Sequence, residues 1–292
     1  MRQRLPSWFK KKMPDPAHLA SMRALFQELS LHTICENAIC PNLGDCFSRR
    51  TATFLILGNI CTRNCTFCAV GKGVPGPLDE NEPEHLAEAV DKLELRHVVV
   101  TSVSRDDLPD GGASHFARTI TLLKERGDDL SIEVLIPDFL GSPGSIETVV
   151  ATQPDVINHN METVSRLYPE VRPQADFQRS LRLIGRVKEM DSSIVTKSGV
   201  MVGLGETRDE LMQTMLELRG VNCDLLTIGQ YLQPSSRHHP VVRYVPPDEF
   251  LEYEKTGKDM GFRDVASAPL VRSSFNAAQL YARAKMELRG QQ

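Results

Sequence analysis

The sequence contains no uninterrupted run of 18 or more apolar residues, so it predicts no transmembrane helix. The first 13 residues are basic but lack the apolar core of a secretory signal. There is no basic excess either: 34 Lys and Arg stand against 38 Asp and Glu, a formal net charge of −4. General nucleic-acid binders usually carry such an excess. We therefore expect neither a membrane nor a nucleic-acid partner, and a cytoplasmic location.

The chain also lacks internal repeats, low-complexity tracts and any linker rich in Pro, Gly or Ser. Its length of 292 residues allows one large domain or two ordinary ones. Hydrophobic residues make up 41% of the chain and recur in regular blocks, which excludes a disordered protein. Since no linker divides it, we predict a single structural unit.

What is present, after residue 50, is an alternation of strand-like and helix-like segments. Six apolar runs predict strands at residues 53–57, 97–103, 132–136, 156–158, 195–202 and 225–232. Amphipathic segments predict helices at residues 82–95, 113–126, 145–152, 163–190 (in two pieces), 208–219 and 248–260. Nearly continuous apolar strands that alternate with helices are typical of a parallel sheet covered on both faces. The predicted fold class is α/β.

The cysteines are unevenly distributed, and six of the seven form two triplets: Cys35, Cys40, Cys46 and Cys61, Cys65, Cys68. Disulfide frameworks usually belong to short secreted chains, so this clustering in a long chain favours metal binding in a reducing compartment. The alternative is that some are ordinary buried cysteines. That interpretation suits Cys223, which stands alone.

The spacings are C-x4-C-x5-C in the first triplet and C-x3-C-x2-C in the second. Structural zinc needs four ligands, and neither triplet has a fourth nearby Cys or His at a zinc-like spacing. Irregular gaps fit a four-iron cluster better, because each thiolate reaches a separate iron atom. Three cysteines leave one iron open, and an open metal position indicates chemistry rather than scaffolding.

Polar residues gather after the predicted strands, where the active site of a barrel of this type lies. They occupy residues 101–107, 158–162, 203–206 and 230–235. Some polar residues near strand ends have an alternative role as helix caps, for example Asp110 and Ser142. The pair His238 and His239 precedes a proline, and we expect it to be an exposed loop pair rather than a metal site.

The segment Cys61-Thr-Arg-Asn-Cys65-Thr-Phe-Cys68 resembles the signature of the radical S-adenosylmethionine (radical SAM) superfamily. The first triplet, within residues 31–46, resembles that of the lipoyl synthase family specifically. The resemblance extends from about residue 5 to about residue 278 and includes the motifs at 106–112, 158–160, 201–206, 229–234 and 272–274. It implies a partial (β/α)6 TIM-like barrel at residues 51–262, with a cysteine-bearing extension at 1–50 and a C-terminal tail at 263–292.

The resemblance implies a sulfurtransferase that inserts two sulfur atoms, at C6 and C8 of an octanoyl chain borne by a lysine. The second triplet would hold a catalytic 4Fe-4S cluster whose open iron binds S-adenosylmethionine and yields a 5′-deoxyadenosyl radical. The first triplet would hold an auxiliary 4Fe-4S cluster that is consumed as the sulfur source. The cofactors would thus carry the difficult chemistry, and the protein would supply placement and exclusion of water.

The family also implies a serine ligand to the auxiliary cluster, which matches Ser274 here. A hard oxygen ligand is more easily displaced than a thiolate, which suits a cluster that is dismantled. The local departure is Phe275, where the family usually has Tyr. Arg272 would orient or neutralise charge near that cluster, unless it forms a surface salt bridge.

The resemblance also implies that S-adenosylmethionine lies against the strand ends, and four residues there are candidates to bind its polar groups: Ser102, Asn158, Glu162 and Lys197. The alternative for Glu162 is a carboxylate in the first turn of a helix. The implied partners are octanoylated lipoyl carrier domains, namely 2-oxoacid dehydrogenase E2 subunits and the glycine cleavage H protein, and a ferredoxin- or flavodoxin-type electron donor. The run 10–12 of three lysines is either a solvated segment or an attraction for an acidic carrier.

Two other functions stay open at this point. One is another two-cluster radical SAM enzyme that inserts sulfur, against which the spacing of the first triplet and the Arg-Ser-Ser segment argue. The other is a non-catalytic electron-transfer iron–sulfur protein. Small ferredoxins need no six-unit barrel and supply four cysteines to each cluster.

Overall fold

A computed structural model describes residues 4–11 and 15–290. The chain divides into two compact units. The N-terminal unit comprises residues 15–64 and 69–157, and the C-terminal unit comprises residues 4–11, 65–68 and 158–290. Within the described ranges, no helix is long and apolar enough to cross a membrane.

The N-terminal unit is built on mostly parallel strands. These are β1 (His32–Thr33), β2 (Thr53–Ile56), β3 (Ile60–Cys61), β4 (Gly71–Lys72), β5 (His97–Ser102), β6 (Ser131–Leu135) and β7 (Val156–Asn158). The main sheet of this unit has the order β1-β2-β5-β6-β7. The short β1 runs antiparallel to β2, whereas β2, β5 and β6 run parallel to one another. Strands β3 and β4 form a separate parallel pair. Phe54 of β2 lies opposite Val100 of β5, and Val98 of β5 lies opposite Ile132 of β6.

Six α-helices accompany these strands: α1 (Pro16–Glu28), α2 (Ile34–Asn37), α3 (Leu43–Ser48), α4 (Glu82–Leu93), α5 (Ala113–Lys124) and α6 (Pro143–Val150). Three buried rings pack edge to face between α1, α3 and β2. The Phe26 ring lies 5.7 Å from that of Phe47 and 5.9 Å from that of Phe54. Large aromatic rings bury much apolar area, so this contact fastens α3, which carries Cys46, to α1 and to the start of the sheet.

The C-terminal unit contains the parallel strands β8 (Val195–Val202), β9 (Leu225–Gln230) and β10 (Asp264–Ala268), in that order. Its helices are α7 (Tyr168–Val171), α8 (Phe177–Met190), α9 (Arg208–Gly220), α10 (Pro247–Asp259) and α11 (Ala277–Gly290). A buried apolar cluster comprises Val164, Leu167, Val171, Leu204 and Tyr231. Phe67 of the cysteine loop packs against it half-buried.

All six predicted strands are present, with ends that differ from the prediction by at most two residues, which confirms the α/β class. The predicted helical region 163–190 is a 3-10 helix (Ser165–Leu167) followed by α7 and α8. Asp110 and Ser142 are indeed caps. Asp110 accepts hydrogen bonds from the N–H groups of Gly112 and Ser114, and Ser142 accepts one from Ser145.

Strand β10 lies in the region that the sequence analysis predicted to be a tail. It has a single long apolar residue, Val265, which lies opposite Leu226 of β9. Its first residue, Asp264, is buried, and its carboxylate pairs with Arg283 of α11 at 2.6 Å and with Lys258 of α10 at 3.4 Å. A strand whose charge is neutralised by distant helices carries no local signal in the sequence.

Candidate cluster and cofactor site

Cys61 ends the short strand β3, and its sulfur is already surrounded by hydrogen-bond donors. The Sγ atom accepts the backbone N–H groups of Arg63 and Ser104, each at 3.4 Å. Hydrogen bonds to a sulfur ligand stabilise its negative charge and help set the potential of an iron–sulfur cluster. This geometry suits a thiolate ligand.

The side chain of Arg63, two residues further along the loop, is buried and fully engaged. Its Nε and Nη2 donate to the two carboxylate oxygens of Asp106 at 2.7 and 2.8 Å, and Nη2 also donates to Asp138 at 2.5 Å. Burial opposes the charge, but the hydrogen bonds to Asp106 and Asp138 outweigh it and raise the pKa of Arg63. A bidentate pair of this kind fixes geometry as well as charge.

Thr62 attaches the loop to the turn after β5. Its Oγ1 donates to the carbonyl of Ser104 at 3.0 Å and accepts the N–H of Asp106 at 3.1 Å. Its own N–H also donates to Ser104 O, at 3.0 Å. The first half of the cysteine loop is therefore tied to the β5 turn through both backbone and side-chain contacts.

Arg105, in the same turn after β5, also makes several side-chain contacts. Its guanidinium pairs with Asp107 at 2.9 Å and donates to the carbonyls of Leu57 and Gly76, each at 3.2 Å. The hydrogen bond from Arg105 outweighs burial and lowers the pKa of Asp107. Asp106 and Asp107, at the end of the polar run 101–107, thus hold Arg63 and Arg105 in place beside the loop.

Cys65 and Cys68 belong to the C-terminal unit and are both half-buried. The N–H of Cys68 donates to Cys65 O at 3.3 Å, which makes a tight turn. Between them, Thr66 donates its N–H to Val171 O at 3.0 Å and accepts the N–H of His239 at 2.9 Å. Both the N–H and the carbonyl of Thr66 are therefore hydrogen-bonded to the backbone of the C-terminal unit.

Two aromatic side chains of the C-terminal unit lie beside Cys68. The ring of His238 donates from Nε2 to Cys68 O, at 3.2 Å. Tyr231 is buried and donates its hydroxyl to His239 O at 2.7 Å; burial, and then the charge of Cys68, raise its pKa. His239 is buried too and donates from Nε2 to Leu204 O, so the expectation of an exposed pair is wrong for this residue.

The first triplet lies on and between α2 and α3 of the N-terminal unit. Cys35 is buried and the other two cysteines, Cys40 and Cys46, are half-buried. Burial raises the pKa of Cys35 to about 12; a hydrogen bond with Thr53 opposes this, and the charges of Cys40 and Cys46 add to it. The charges of Cys40 and Cys46 thus both act on Cys35.

All seven cysteines are thiols without a disulfide. Among residues 4–11 and 15–290, no three His, Cys, Asp or Glu side chains converge closely enough to hold a single metal ion. A four-iron cluster makes a different demand, since each of its thiolates binds its own iron atom. Cys223 is buried, and its thiol contacts Leu225 O at 3.4 Å, as expected for an ordinary core cysteine.

Two of the four residues expected at S-adenosylmethionine have buried polar atoms without partners. In the N-terminal unit this is the Oγ of Ser102, the last residue of β5. In the C-terminal unit, Asn158 is fully buried, and neither its Oδ1 nor its Nδ2 has a hydrogen-bond partner among the described residues. Each such group costs about 1–3 kcal/mol when buried alone, so these atoms suit a polar ligand.

Glu162 adopts a left-handed backbone, with φ of +63°, which is strained for a residue with a side chain. Its N–H donates to Gly199 O at 2.9 Å and its carbonyl accepts the N–H of Met201 at 2.8 Å, so it bridges to β8. The helix-first-turn alternative is wrong, because the next helix begins at Ser165. Burial raises the pKa of Glu162, an effect that Arg172 opposes.

Asn160 connects Glu162 to the Arg-Ser-Ser segment. Its Nδ2 donates to Glu162 Oε1 at 2.9 Å and to Ser273 Oγ at 2.7 Å, while its buried Oδ1 has no partner. Ser273 had no predicted role beyond its place in the motif at 272–274. The polar run 158–162 was the available signal for Asn160, but nothing local indicates a contact 113 residues away.

The remaining candidates for the cofactor and cluster sites lie in the C-terminal unit. Lys197 is fully buried within β8. Arg272 is half-buried, and its charge, with that of Arg172, opposes the rise that burial causes in the pKa of Glu162. Ser274 is also half-buried, and its carbonyl accepts the N–H of Ala277 at 3.4 Å, in the turn that leads into α11.

Comparison with known proteins gives a consistent result. The Radical SAM superfamily profile matches residues 55–218. A lipoyl synthase of Caldanaerobacter subterraneus subsp. tengcongensis is 58% identical over 277 residues, which cover 95% of this chain and 97% of that protein. A lipoyl synthase of Alkaliphilus metalliredigens is 52% identical over 277 residues, covering 95% of this chain and 96% of that protein.

Solved structures share the architecture. The crystal structure of SuiB from Streptococcus suis, bound to S-adenosylmethionine, aligns with a TM-score of 0.57 at 10% identity. The alignment covers 78% of this chain and 53% of that one, and at this identity it supports the fold alone. High identity over almost the whole length, together with the matched superfamily profile, leads to one conclusion: the chain belongs to the lipoyl synthase family of the Radical SAM superfamily.

Proposed function

We propose that Cys61, Cys65 and Cys68 bind the 4Fe-4S cluster that this superfamily uses with S-adenosylmethionine. The observation that carries the proposal is the environment of Cys61, whose Sγ accepts two backbone N–H groups while Arg63 holds the loop in place. These two hydrogen bonds would stabilise the negative charge of a thiolate ligand.

The chain, as a member of its family, is a sulfurtransferase that inserts two sulfur atoms, at C6 and C8 of a protein-bound octanoyl-lysine. When bound, the cofactors supply one-electron cleavage of S-adenosylmethionine and the sulfur itself. The chain's own residues bind and orient these groups and exclude water from them. Its substrates are octanoylated lipoyl carrier proteins.

Four residues are proposed to contact S-adenosylmethionine, each on an observation within its own unit. Ser102 and Asn158 are supported by their buried polar atoms without partners. Glu162 is supported by its strained backbone, which is typical of functional positions. For Lys197 the support is its full burial in β8, because a buried lysine needs a purpose-built environment.

An auxiliary 4Fe-4S cluster would bind Cys35, Cys40 and Cys46, with Ser274 as its fourth ligand. The placement of all three cysteines on and between the short helices α2 and α3 supports a shared site. Ser274 is supported by its neighbour Ser273, whose bond to Asn160 holds the Arg-Ser-Ser turn beside Glu162. Arg272 would balance negative charge there.

The partners proposed in detail are 2-oxoacid dehydrogenase E2 subunits and the glycine cleavage H protein as carriers, and a ferredoxin or flavodoxin as electron donor. The N-terminal extension at 1–50, the barrel at 51–262 and the tail at 263–292 would act together on them. Phe275, in place of the usual tyrosine, removes one hydroxyl next to the proposed serine ligand but leaves that serine intact.

The test combines composition with turnover. Anaerobic reconstitution should give about eight iron atoms per chain, as two four-iron clusters require. The reduced protein, given S-adenosylmethionine and an octanoylated carrier peptide, should add two sulfur atoms, detected by mass. Release of 5′-deoxyadenosine without added sulfur would contradict the assignment, and about one zinc ion per chain in place of iron would contradict both cluster sites.

A further inference from the structure

Residues 4–11, here called the N-terminal segment, play no part in the proposed chemistry, yet they are held firmly within the C-terminal unit. They include a 3-10 helix, Ser7–Phe9. The ring of Phe9 packs 5.8 Å from that of Tyr244, and Lys11 Nζ lies 5.9 Å from the centre of the Phe275 ring. Both contacts are of the kind that stabilise fixed geometry.

The first anchor, Tyr244, lies at the carboxyl ends of β8 and β9. Val242 donates its N–H to Gly203 O at 2.9 Å, immediately after β8. Gln230, the last residue of β9, donates from its side chain to Arg243 O at 2.9 Å and accepts the N–H of Val245 at 2.8 Å. These bonds fix the stretch around Tyr244 over the strand ends.

The second anchor, Phe275, belongs to the same edge. The preceding residues pass so close to β9 that a Cβ atom on Gly229 would lie 2.1 Å from Val271 O. Ser273, which lies between Val271 and Phe275 in the sequence, accepts a hydrogen bond from Asn160 at the candidate site. The N-terminal segment therefore lies beside the edge at which the active site of a parallel α/β fold is built.

The outer side of the N-terminal segment is both apolar and basic. Leu5 is 56% exposed and Trp8 is 39% exposed. Arg4, Lys10 and Lys11 are also exposed, and residues 4–11 include no acidic residue. An exposed tryptophan next to exposed cations is the composition of a protein-binding surface, because Trp and Arg are enriched at the centres of interfaces.

A run of cations at a chain end is most often simply solvated, and two observations argue against that here. The segment is anchored by ring contacts at Phe9 and Lys11 rather than projecting freely. The substrate, moreover, is a lysine on another protein, so the surface of that protein must rest against this edge whenever its octanoyl chain enters.

We propose that the N-terminal segment is the docking surface for the octanoylated carrier domain, and that the carrier presents an acidic face to it. This inference rests on the proposed function, because it uses the protein-bound substrate. Complementary charge speeds encounter and fixes register, while a buried aromatic anchor supplies most of the affinity. Trp8 would be that anchor, and Arg4, Lys10 and Lys11 would supply the charge.

The experiment compares two substrates on the reconstituted holoenzyme: the octanoylated H protein and a short octanoyl-lysyl peptide that lacks the carrier surface. Lys10→Glu should raise KM for the H protein roughly 3- to 10-fold and weaken its dependence on salt. Trp8→Ala should raise that KM about 10-fold or more, as expected for an interface anchor. Neither change should alter KM for the peptide.

Two matched controls accompany these variants. Lys124→Glu makes the same charge change at an exposed lysine of α5, and Leu251→Ala truncates an exposed apolar residue of α10. Both should leave KM for the H protein unchanged. Release of 5′-deoxyadenosine in all four variants checks that the S-adenosylmethionine site is intact.

The inference is overturned if Lys10→Glu and Trp8→Ala behave like their controls with the H protein. It is equally overturned if the peptide and the H protein lose activity in parallel, because the segment would then act at the active site rather than in docking. Failure of the unaltered holoenzyme to add sulfur to either substrate would instead refute the proposed function.

Discussion

The guanidinium of Arg63 makes two parallel hydrogen bonds to the carboxylate of Asp106, at 2.7 and 2.8 Å, across 43 residues of sequence. Arg63 lies inside the cysteine loop and Asp106 lies in the turn after β5. A third bond to Asp138 completes the arrangement. The loop that presents Cys61 is thus fastened by a buried ion pair rather than by its own local structure.

Arg63→Met should destabilise the protein strongly, because it leaves the carboxylates of Asp106 and Asp138 without their cation. We expect a loss of about 3 kcal/mol or more in the free energy of unfolding, measured by urea denaturation. Iron retained after reconstitution should fall as well. Arg63→Lys should lose an intermediate amount of unfolding free energy, because lysine keeps the positive charge but cannot make two parallel hydrogen bonds to one carboxylate.

The control for Arg63→Met is Arg126→Met, which breaks an exposed pair with Asp91 at 3.0 Å. This change should cost no more than about 1 kcal/mol. Equal losses in the two variants would contradict the assigned importance of the buried pair.

Ser102→Ala should weaken S-adenosylmethionine binding without weakening the fold. The buried Oγ has no partner, so its removal should change the free energy of unfolding by less than about 0.5 kcal/mol. Loss of the hydrogen bond from Ser102 should raise the Kd of S-adenosylmethionine roughly 5- to 10-fold, measured by equilibrium binding to the reconstituted protein.

The neighbouring Thr101 supplies the matched control, because its Oγ1 already donates to Leu135 O at 3.0 Å. Thr101→Val should cost about 1 kcal/mol of stability and leave the Kd unchanged. If Ser102→Ala loses stability and keeps its affinity, Ser102 is not a ligand-binding residue.

Ser274→Ala should leave the formation of 5′-deoxyadenosine intact while it lowers the yield of the doubly sulfurated product. The reason is that the proposed serine ligand belongs to the auxiliary cluster and not to the S-adenosylmethionine site. The two products are measured in one reaction by mass spectrometry. An unchanged yield of sulfurated product would remove Ser274 from the ligand set.

Glu210→Gln should reveal a pH-dependent contribution to stability at the start of α9. Glu210 accepts hydrogen bonds from Arg166 at 2.6 and 3.0 Å and from the N–H of Thr207 at 2.8 Å, in a capping box. The hydrogen bonds from Arg166, and then Thr207, lower the pKa of Glu210 to about 2.

Because the pKa in the folded state lies below its ordinary value, the stabilisation is present near neutral pH and is lost as the pH falls toward 2. The difference in unfolding free energy between the original protein and Glu210→Gln should be about 1 kcal/mol or less at pH 7 and should shrink below about pH 4. Asp209→Asn, in the same turn, is the control. A difference that grows on acidification would contradict this sign.

The predicted fold class and the six predicted strands are correct because an apolar run is a local signal in the sequence. The sequence did not predict β10, whose charged Asp264 is compensated by α10 and α11. His239 shows the same limit, because a histidine before a proline resembles an exposed loop residue until Leu204 O and Glu170 are seen beside it.

The sequence by itself determined the family, because the two cysteine triplets and the Arg-Ser-Ser segment resemble those of lipoyl synthases. Only the tertiary structure decided what holds the cysteine loop and the Arg-Ser-Ser segment in place. The partners of Arg63 are 43 and 75 residues away, and that of Asn160 is 113 residues away. Such contacts depend on which strand ends the sheet brings together, and the pairing of strands is a cooperative property of the packed core rather than of any local segment.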